Sequence, residues 1–200
     1  SRANSLTFSN NIFENSDGHG FHTRDSCPSF TNCTFTQNLQ SGLQLKGQSM
    51  NCTFSKCVFL QNKVIGASIA DGCSCSFEEC MFERNYGTGL SVQSCTASCI
   101  KCVFKENVKM GLCIFGGAAA SLGGCTFKNN LSFGCQVEQA GSSLTAQYCE
   151  FTSHLNSGAV MVSNGPNAKF INCVFSKNKN PHIEVRDSST VSVQGGEFTR

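Results

Sequence analysis

A phenylalanine recurs along the whole chain at intervals of 22 to 24 residues. The nine positions are Phe13, Phe35, Phe59, Phe82, Phe104, Phe127, Phe151, Phe175 and Phe198. A period of this length is typical of solenoids, in which each unit buries its apolar face only by stacking on its neighbours. The repeat therefore restricts the chain to a stacked architecture.

Three further positions keep a constant offset from the repeat phenylalanine. Two residues before it the chain carries Cys33, Cys57, Cys80, Cys102, Cys125, Cys149 and Cys173. Three residues after it lie Asn38, Asn62, Asn85, Asn107, Asn130 and Asn178, with Ser16 and His154 as exceptions. Seven residues after it lie Gly20, Gly42, Gly66, Gly89, Gly111, Gly134 and Gly158. We expect a structural ladder of amide hydrogen bonds from the asparagines and a turn with positive φ at the glycines.

Each unit contains three short stretches in which apolar residues alternate with others. In one unit these stretches are residues 75–77, 80–82 and 90–92. A period of two predicts β-strands, and no window of ten residues shows the apolar spacing of a helix. Three strands that all recur at one period predict an all-β coil with three parallel sheets. We expect about eight to nine coils of about 23 residues, forming a single domain over residues 1–200.

The repeated element resembles a known family. It reads Cys57-Val-Phe-Leu-Gln-Asn62 followed by Gly66-Ala-Ser-Ile69, which is similar to repeats of the right-handed parallel β-helix family with the pectin-lyase-like fold. The resemblance covers all 200 residues and is closest in type to the β-helix recognition domains of eukaryotic adaptors. It implies a right-handed solenoid, but it implies no single activity, because that fold hosts lyases, hydrolases, adhesins and binding domains.

Composition limits the classes of partner. The net charge is +2 and 14% of the residues are charged, so the basic signature of nucleic-acid binding is missing. No apolar run reaches the length that spans a membrane. We therefore expect neither nucleic acid nor a membrane as a partner. Both ends of the sequence interrupt a repeat unit, which predicts a domain excised from a longer protein.

The fifteen cysteines allow two interpretations. A disulfide-rich secreted chain is one. We favour free thiols that act as small buried apolar side chains, because the count is odd and seven cysteines share one inward position. Free thiols place the protein in the cytoplasm or nucleus. Cys99 and Cys102 form the one C-x-x-C pair, which cannot complete a tetrahedral site, so we expect no metal site and no cofactor.

One cluster has the residue types of a catalytic site. Asp17-Gly-His-Gly20, with His22 and Asp25 nearby, resembles a motif of polygalacturonases, in which histidine supports carboxylates that act as general acid and base. Paired carboxylates on adjacent coils are missing, because Gln44 and Ser68 occupy the corresponding outward positions. We therefore predict no catalytic residues and no enzymatic activity in this segment.

Binding is assigned instead to two outward columns. The first is small and uncharged and contains Thr53, Ser76, Ser98 and Ser121; the second is apolar and contains Val58, Met81, Val103 and Val174. An apolar stripe on a solvated sheet is typical of a contact site. The prediction is a non-enzymatic protein-recognition or scaffold domain whose partner is another protein. The alternative is a carbohydrate-binding or carbohydrate-active β-helix, lyase-like or hydrolase-like, whose ligand is a glycan.

Overall fold

The computed structural model describes residues 5–47, 51–154, 156–179 and 181–200. These residues form 26 strands, which wind into eight full coils and part of a ninth. All neighbouring strands are parallel, and each coil contributes one strand to each of three sheets, named A, B and C in the order in which the chain enters them. The predicted all-β solenoid with three parallel sheets and a repeat of about 23 residues is confirmed.

The three sheets contain nine, nine and eight strands. Sheet A contains β1 (Ser5–Ser9), β4 (Cys27–Thr31), β7 (Asn51–Ser55), β10 (Ser74–Glu78), β13 (Thr96–Ile100), β16 (Ala119–Gly123), β19 (Ser143–Gln147), β22 (Asn167–Ile171) and β25 (Thr190–Gln194). Sheet B contains β2 (Ile12–Glu14), β5 (Thr34–Thr36), β8 (Val58–Leu60), β11 (Met81–Glu83), β14 (Val103–Lys105), β17 (Thr126–Lys128), β20 (Glu150–Thr152), β23 (Val174–Ser176) and β26 (Glu197–Thr199). Sheet C contains β3 (Phe21–Arg24), β6 (Leu43–Lys46), β9 (Ala67–Ala70), β12 (Leu90–Gln93), β15 (Leu112–Phe115), β18 (Cys135–Glu138), β21 (Val160–Ser163) and β24 (Ile183–Val185).

Within the part of the chain that the structure describes, no helix is long and apolar enough to span a membrane.

The core is built on stacked phenylalanines. Along sheet B the repeat phenylalanines pair in register, and the ring centroid of Phe82 lies 4.8 Å from that of Phe104 with the planes 2° apart. A second column on sheet A meets the first edge-on, as where Phe77 lies 5.6 Å from Phe82 at 65°. Offset-stacked and edge-to-face contacts are the favoured geometries for aromatic rings. The repeat therefore satisfies ring contacts both along the solenoid and across it.

Residues with positive φ lie at the corners between the sheets. At the corner between sheets B and C, the residue before the ladder asparagine takes the left-handed conformation, with φ of 52° at Arg84 and 56° at Glu106. The expectation of positive φ at the glycine column is wrong. Gly89 is required instead by space, because a Cβ there would lie 2.6 Å from the carbonyl oxygen of Gly111 and 3.0 Å from Asn107 Nδ2.

The asparagine column forms the expected ladder. Asn85 Nδ2 donates to the Phe59 carbonyl and to Asn107 Oδ1, both at 3.0 Å, and the Asn85 N–H donates to the same Oδ1 at 3.1 Å. Each fully buried amide thus closes the corner of one coil and joins it to the next. Buried polar groups with complete hydrogen bonding of this kind favour one register of stacking.

His154 interrupts the ladder. Its side chain is fully buried, and its N–H donates to Asn178 Oδ1 at 3.1 Å as a ladder asparagine would. Its Nδ1 lies 3.4 Å from the carbonyl oxygen of Asn130, whereas its Nε2 has no hydrogen-bond partner. Burial lowers the pKa of His154 to about 4, so the imidazole is neutral at physiological pH.

The cysteine column also points inward. Cys80 Sγ donates to the carbonyl oxygens of Phe54 and Glu78 at 3.5 and 3.4 Å. The other members also donate to backbone carbonyl oxygens, Cys149 to one and the rest to two. Fourteen of the fifteen cysteines are buried and Cys27 is half-buried. Small side chains at this position leave room for the stacked phenylalanines two residues later, which is the role expected of a buried thiol.

The redox state of these thiols is testable. We expect unfolded, unreduced protein to react with about fifteen equivalents of a thiol reagent, and folded protein to react slowly, because nearly all sulfurs are buried. The measurement is a colorimetric thiol titration in guanidinium chloride, with a reduced sample as the control. Recovery of only one or three thiols before reduction would instead indicate seven or six disulfides, respectively.

Candidate functional site

An open groove runs across the outer surface of sheet A. Its volume is about 580 Å³, and it crosses five neighbouring strands from β7 to β19. Two outward columns line it: Asn51, Ser74, Thr96, Ala119 and Ser143, and beside them Thr53, Ser76, Ser98, Ser121 and Thr145. Ser76 pairs in register with Thr53 on one side and Ser98 on the other. The predicted column of small residues therefore lies along this groove.

The chemistry of the groove is uniform. Its outward side chains are hydroxyls, one amide and a methyl group, and none of these lining residues carries a charge. Each hydroxyl both donates and accepts hydrogen bonds, and equivalent hydroxyls recur at the strand spacing of about 4.7–4.9 Å. A smaller depression of about 270 Å³ continues the surface to β25 and introduces a charge, Lys169. The groove can therefore offer a periodic row of neutral hydrogen-bonding groups.

An aromatic side chain stands at the edge of the same sheet. Tyr148 follows β19 directly, at the corner between sheets A and B, and 67% of its surface is exposed. Its backbone is left-handed, with φ of 54°, like that of Lys101 at the equivalent corner. An exposed tyrosine offers both an apolar ring face and a hydroxyl.

The predicted apolar column of Val58, Met81, Val103 and Val174 lies on the outer face of sheet B. Its outward residues are, in order, Thr34, Val58, Met81, Val103, Thr126, Glu150 and Val174. As the repeat in the sequence already indicates, Thr126 and Glu150 separate Val174 from the other three. Val58, Met81 and Val103 are half-buried. An ion pair between Lys105 Nζ and Glu83 Oε2 at 3.3 Å lies beside them, on two of the same strands, β11 and β14.

The cluster around Asp17 does not assemble as a catalytic site. His19 Nδ1 accepts a hydrogen bond from the N–H of Ser41 at 3.2 Å, which ties its ring to the next coil. Burial, followed by the nearby His22 and Lys46, lowers the pKa of His19 and keeps it a neutral acceptor. Asp17 is exposed to solvent. Among the described residues no three His, Cys, Asp or Glu side chains converge on a common point that could hold a metal ion.

Comparison with known proteins gives a family and a set of similar folds. A family model described as "Right handed beta helix region" matches residues 1–94 and 66–200. No curated protein matches the chain in sequence. The A-module of the mannuronan C-5 epimerase AlgE4 from Azotobacter vinelandii superposes with a TM-score of 0.75 at 13% identity, covering 97% of this chain and 61% of that one.

Two further solved structures resemble the solenoid. The pectate lyase Pel9A has a TM-score of 0.70 at 12% identity, with 94% of this chain and 59% of that one covered. The periplasmic alginate epimerase AlgG has a TM-score of 0.62 at 10% identity, with 88% and 51% covered. The chain thus spans between 51% and 61% of the length of these structures.

These comparisons correct the functional prediction. The similar structures are carbohydrate-active β-helix enzymes, which contradicts the prediction of a protein-recognition scaffold and fits the carbohydrate alternative better. The resemblance to domains of eukaryotic adaptors finds no support among them. Identities of 10% to 14% establish the fold alone and assign no activity to this chain.

Proposed function

The chain belongs to the right-handed β-helix family, and we propose that it binds a neutral polysaccharide along the groove of sheet A. The observation that carries this proposal is the row of uncharged hydrogen-bonding side chains that lines the groove over five coils. A polysaccharide is an extended polymer whose hydroxyl groups recur along the chain. A groove whose own hydroxyls recur once per coil meets such a ligand with repeated, similar contacts.

The charge of the groove selects among polysaccharides. A polyuronate carries a carboxylate on each sugar, and binding it would need cations to replace the water that leaves those carboxylates. The residues that line the groove contain none, and the first cation, Lys169, lies in the next depression. Neutral sugars have no carboxylates that lose water on binding. The groove therefore favours neutral glucans, xylans or mannans over alginate or pectate.

The same composition favours binding without cleavage. Hydrolysis of a glycosidic bond usually requires two carboxyl groups that flank the bond, one acting as the acid. The groove's lining residues, all in the described part of the chain, include no Asp or Glu. We therefore assign recognition, and not hydrolysis, to this groove.

Filling the groove is the direct test. Replacing Ser98 by phenylalanine is expected to weaken binding to the best neutral polysaccharide by at least about tenfold, or about 1.4 kcal/mol, because the ring would occupy the middle of the groove. Thr126→Phe is the matched control, since Thr126 is an outward residue of sheet B and lies outside the groove. Affinity electrophoresis in gels that contain soluble β-glucan, xylan, mannan, alginate or polygalacturonate measures the effect.

Two outcomes would contradict the proposal. One is retardation by alginate or polygalacturonate with none by the neutral polymers, which would mean that charge recognition lies elsewhere on the solenoid. The other is equal binding by the Ser98→Phe and Thr126→Phe variants, which would place the ligand away from sheet A.

A further inference from the structure

The outer face of sheet C carries a cluster of cationic side chains on its first two strands. Arg24 on β3 and Lys46 on β6 pair in register, and strand alternation places both on the outer face. Beside them His22 pairs in register with Gln44 on the same face. Neighbouring strands lie about 4.7–4.9 Å apart. Two positive charges therefore leave one face of the sheet side by side.

No carboxylate neutralises this pair of cations. The ion pairs among the described residues include neither Arg24 nor Lys46, and they do not include Asp17 or Asp25. The carboxylate of Asp25, the residue after Arg24, packs against Gly47 at the corner between sheets C and A, where a Cβ on that glycine would collide with it. Like charges opposite each other on adjacent strands are unfavourable, so an anion that contacts both side chains would relieve their repulsion.

Two histidines lie within the electric field of this cluster. The ring centroids of His19 and His22 are 5.7 Å apart. Burial lowers the pKa of His19, and the nearby His22 and Lys46 lower it further. His19 Nδ1 accepts a hydrogen bond from the N–H of Ser41, so the ring proton is on Nε2. His19 is thus a neutral group with one donor, and the permanent charges of the cluster are those of Arg24 and Lys46.

The other pair of cations in register on the described strands is compensated. Lys105 on β14 pairs with Lys128 on β17 on the outer face of sheet B. Lys105 Nζ lies 3.3 Å from Glu83 Oε2 on β11, so the preceding coil supplies a negative charge. The pair on sheet C has the same spacing and no such acid. This difference separates the two pairs and makes Lys128 a matched control.

The positive surface ends after two coils. On the next strand, β9, the residue in register with Lys46 is Ala70, and on β12 it is followed by Gln93. Farther along the same sheet β18 ends in Glu138, which reverses the sign of the charge. A polyanion such as a nucleic acid is held by cations that recur along its length. The cluster on sheet C therefore has the size for one anionic group and not for a polymer of them.

We propose that Arg24, Lys46 and His22 bind a phosphate group, either as the free anion or as a monoester on a sugar. A guanidinium group matches two phosphate oxygens at once, and an ammonium group adds a point charge. The two permanent charges match a phosphate monoester, which carries about −1.5 to −2 at pH 7, better than they match a singly charged carboxylate or sulfate ester. Gln44 adds an N–H donor beside them. This site lies on a different sheet from the polysaccharide groove and does not depend on it.

The four histidines of the chain allow a test by NMR at constant pH. We expect inorganic phosphate and glucose 6-phosphate to shift the Cε1–H resonances of His19 and His22 in a saturable way. Those of His154 and His182 should not move, because these residues lie in distant coils. Tighter binding of glucose 6-phosphate would identify a sugar phosphate as the ligand, and equal binding would identify the free anion. Equal shifts with sodium chloride at the same ionic strength, or with glucose 6-sulfate, would overturn the proposal.

Removal of the two charges tests which side chains hold the anion. Arg24→Gln and Lys46→Gln should each weaken phosphate binding at least about fivefold, whereas Lys128→Gln should leave it unchanged. Lys46→Gln should also raise the pKa of His19 in an NMR pH titration, because it removes one cause of the lowering. Circular dichroism checks that the variants fold. Phosphate binding that survives the double substitution, or a pKa of His19 that does not change in Lys46→Gln, would show that these side chains do not form a common site.

Discussion

Replacing Phe104 by alanine is expected to lower the free energy of unfolding by about 3–5 kcal/mol. Phe104 is fully buried in the middle of the solenoid. Its ring stacks on Phe82 at 4.8 Å and on Phe127 at 4.6 Å, nearly parallel to both. The substitution removes the buried ring and both stacking contacts and leaves a cavity that the rigid coils above and below cannot close.

The matched control is Phe198→Ala. Phe198 occupies the same position in the last coil, but 49% of its surface is exposed and it stacks on one repeat phenylalanine, Phe175, at 4.8 Å. We expect this variant to lose about 1–2 kcal/mol, because less apolar area leaves water and the partner coil is on one side only. Urea denaturation followed by circular dichroism measures both values. Equal losses in the two variants would contradict stacking as the source of stability.

Stability is also expected to fall by up to about 3 kcal/mol as the pH drops from about 6.5 to about 4. His154 has its pKa lowered to about 4 in the folded chain by burial, against 6.5 when it is exposed. Between these values the unfolded chain binds a proton that the folded chain does not, so acid favours unfolding by about 1.4 kcal/mol per pH unit. The contribution of the neutral His154 to stability is complete above about pH 6.5. It decreases as the pH falls and is fully lost below about pH 4.

His154→Asn isolates this contribution. An asparagine would complete the ladder, because ladder residues such as Asn130 accept two hydrogen bonds from the preceding asparagine and donate one to a phenylalanine carbonyl. We expect a gain of about 1 kcal/mol at pH 7 and a flatter dependence of stability on pH. Urea midpoints at pH 7.5 and 4.5 for the parent and variant measure both effects. The same slope in the two proteins would show that other groups, such as His19, dominate the acid sensitivity.

The corners of the coils contain both a feature that the sequence predicts and a feature that it does not. The glycine column could be read from the sequence, but its cause could not. Glycine is needed both where a Cβ would come too close to the carbonyl oxygen of another coil and where the backbone takes a positive φ, and the sequence does not distinguish these two cases. The left-handed residues themselves are chemically mixed, with Arg84, Glu106 and Tyr148 among them. Their conformation is imposed by the turn between two parallel strands, so the identity of such a residue does not by itself reveal it, even though Asn and Asp occur at several of these positions.

The candidate sites likewise combine features that the repeat predicts with features that only the structure shows. The column of Thr53, Ser76, Ser98 and Ser121 could be read from the repeat, because strand alternation assigns each residue to the outer face. That this face forms a groove could not, since the height of its edges depends on the corners at both sides. The column on sheet B could be read in the same way, including Thr126 and Glu150 between Val103 and Val174.

By itself the sequence determined the coil, the three parallel sheets and the inward phenylalanine, cysteine and asparagine columns. The physical reason is that a unit of about 23 residues with three stretches of period two buries its apolar side chains only by stacking in register. The tertiary structure alone decided which outward surface is concave and which corner residues take the left-handed conformation. Those features arise where residues from separate coils come within a few ångströms of each other. The sequence of one repeat unit does not specify the distances between the corners of different coils.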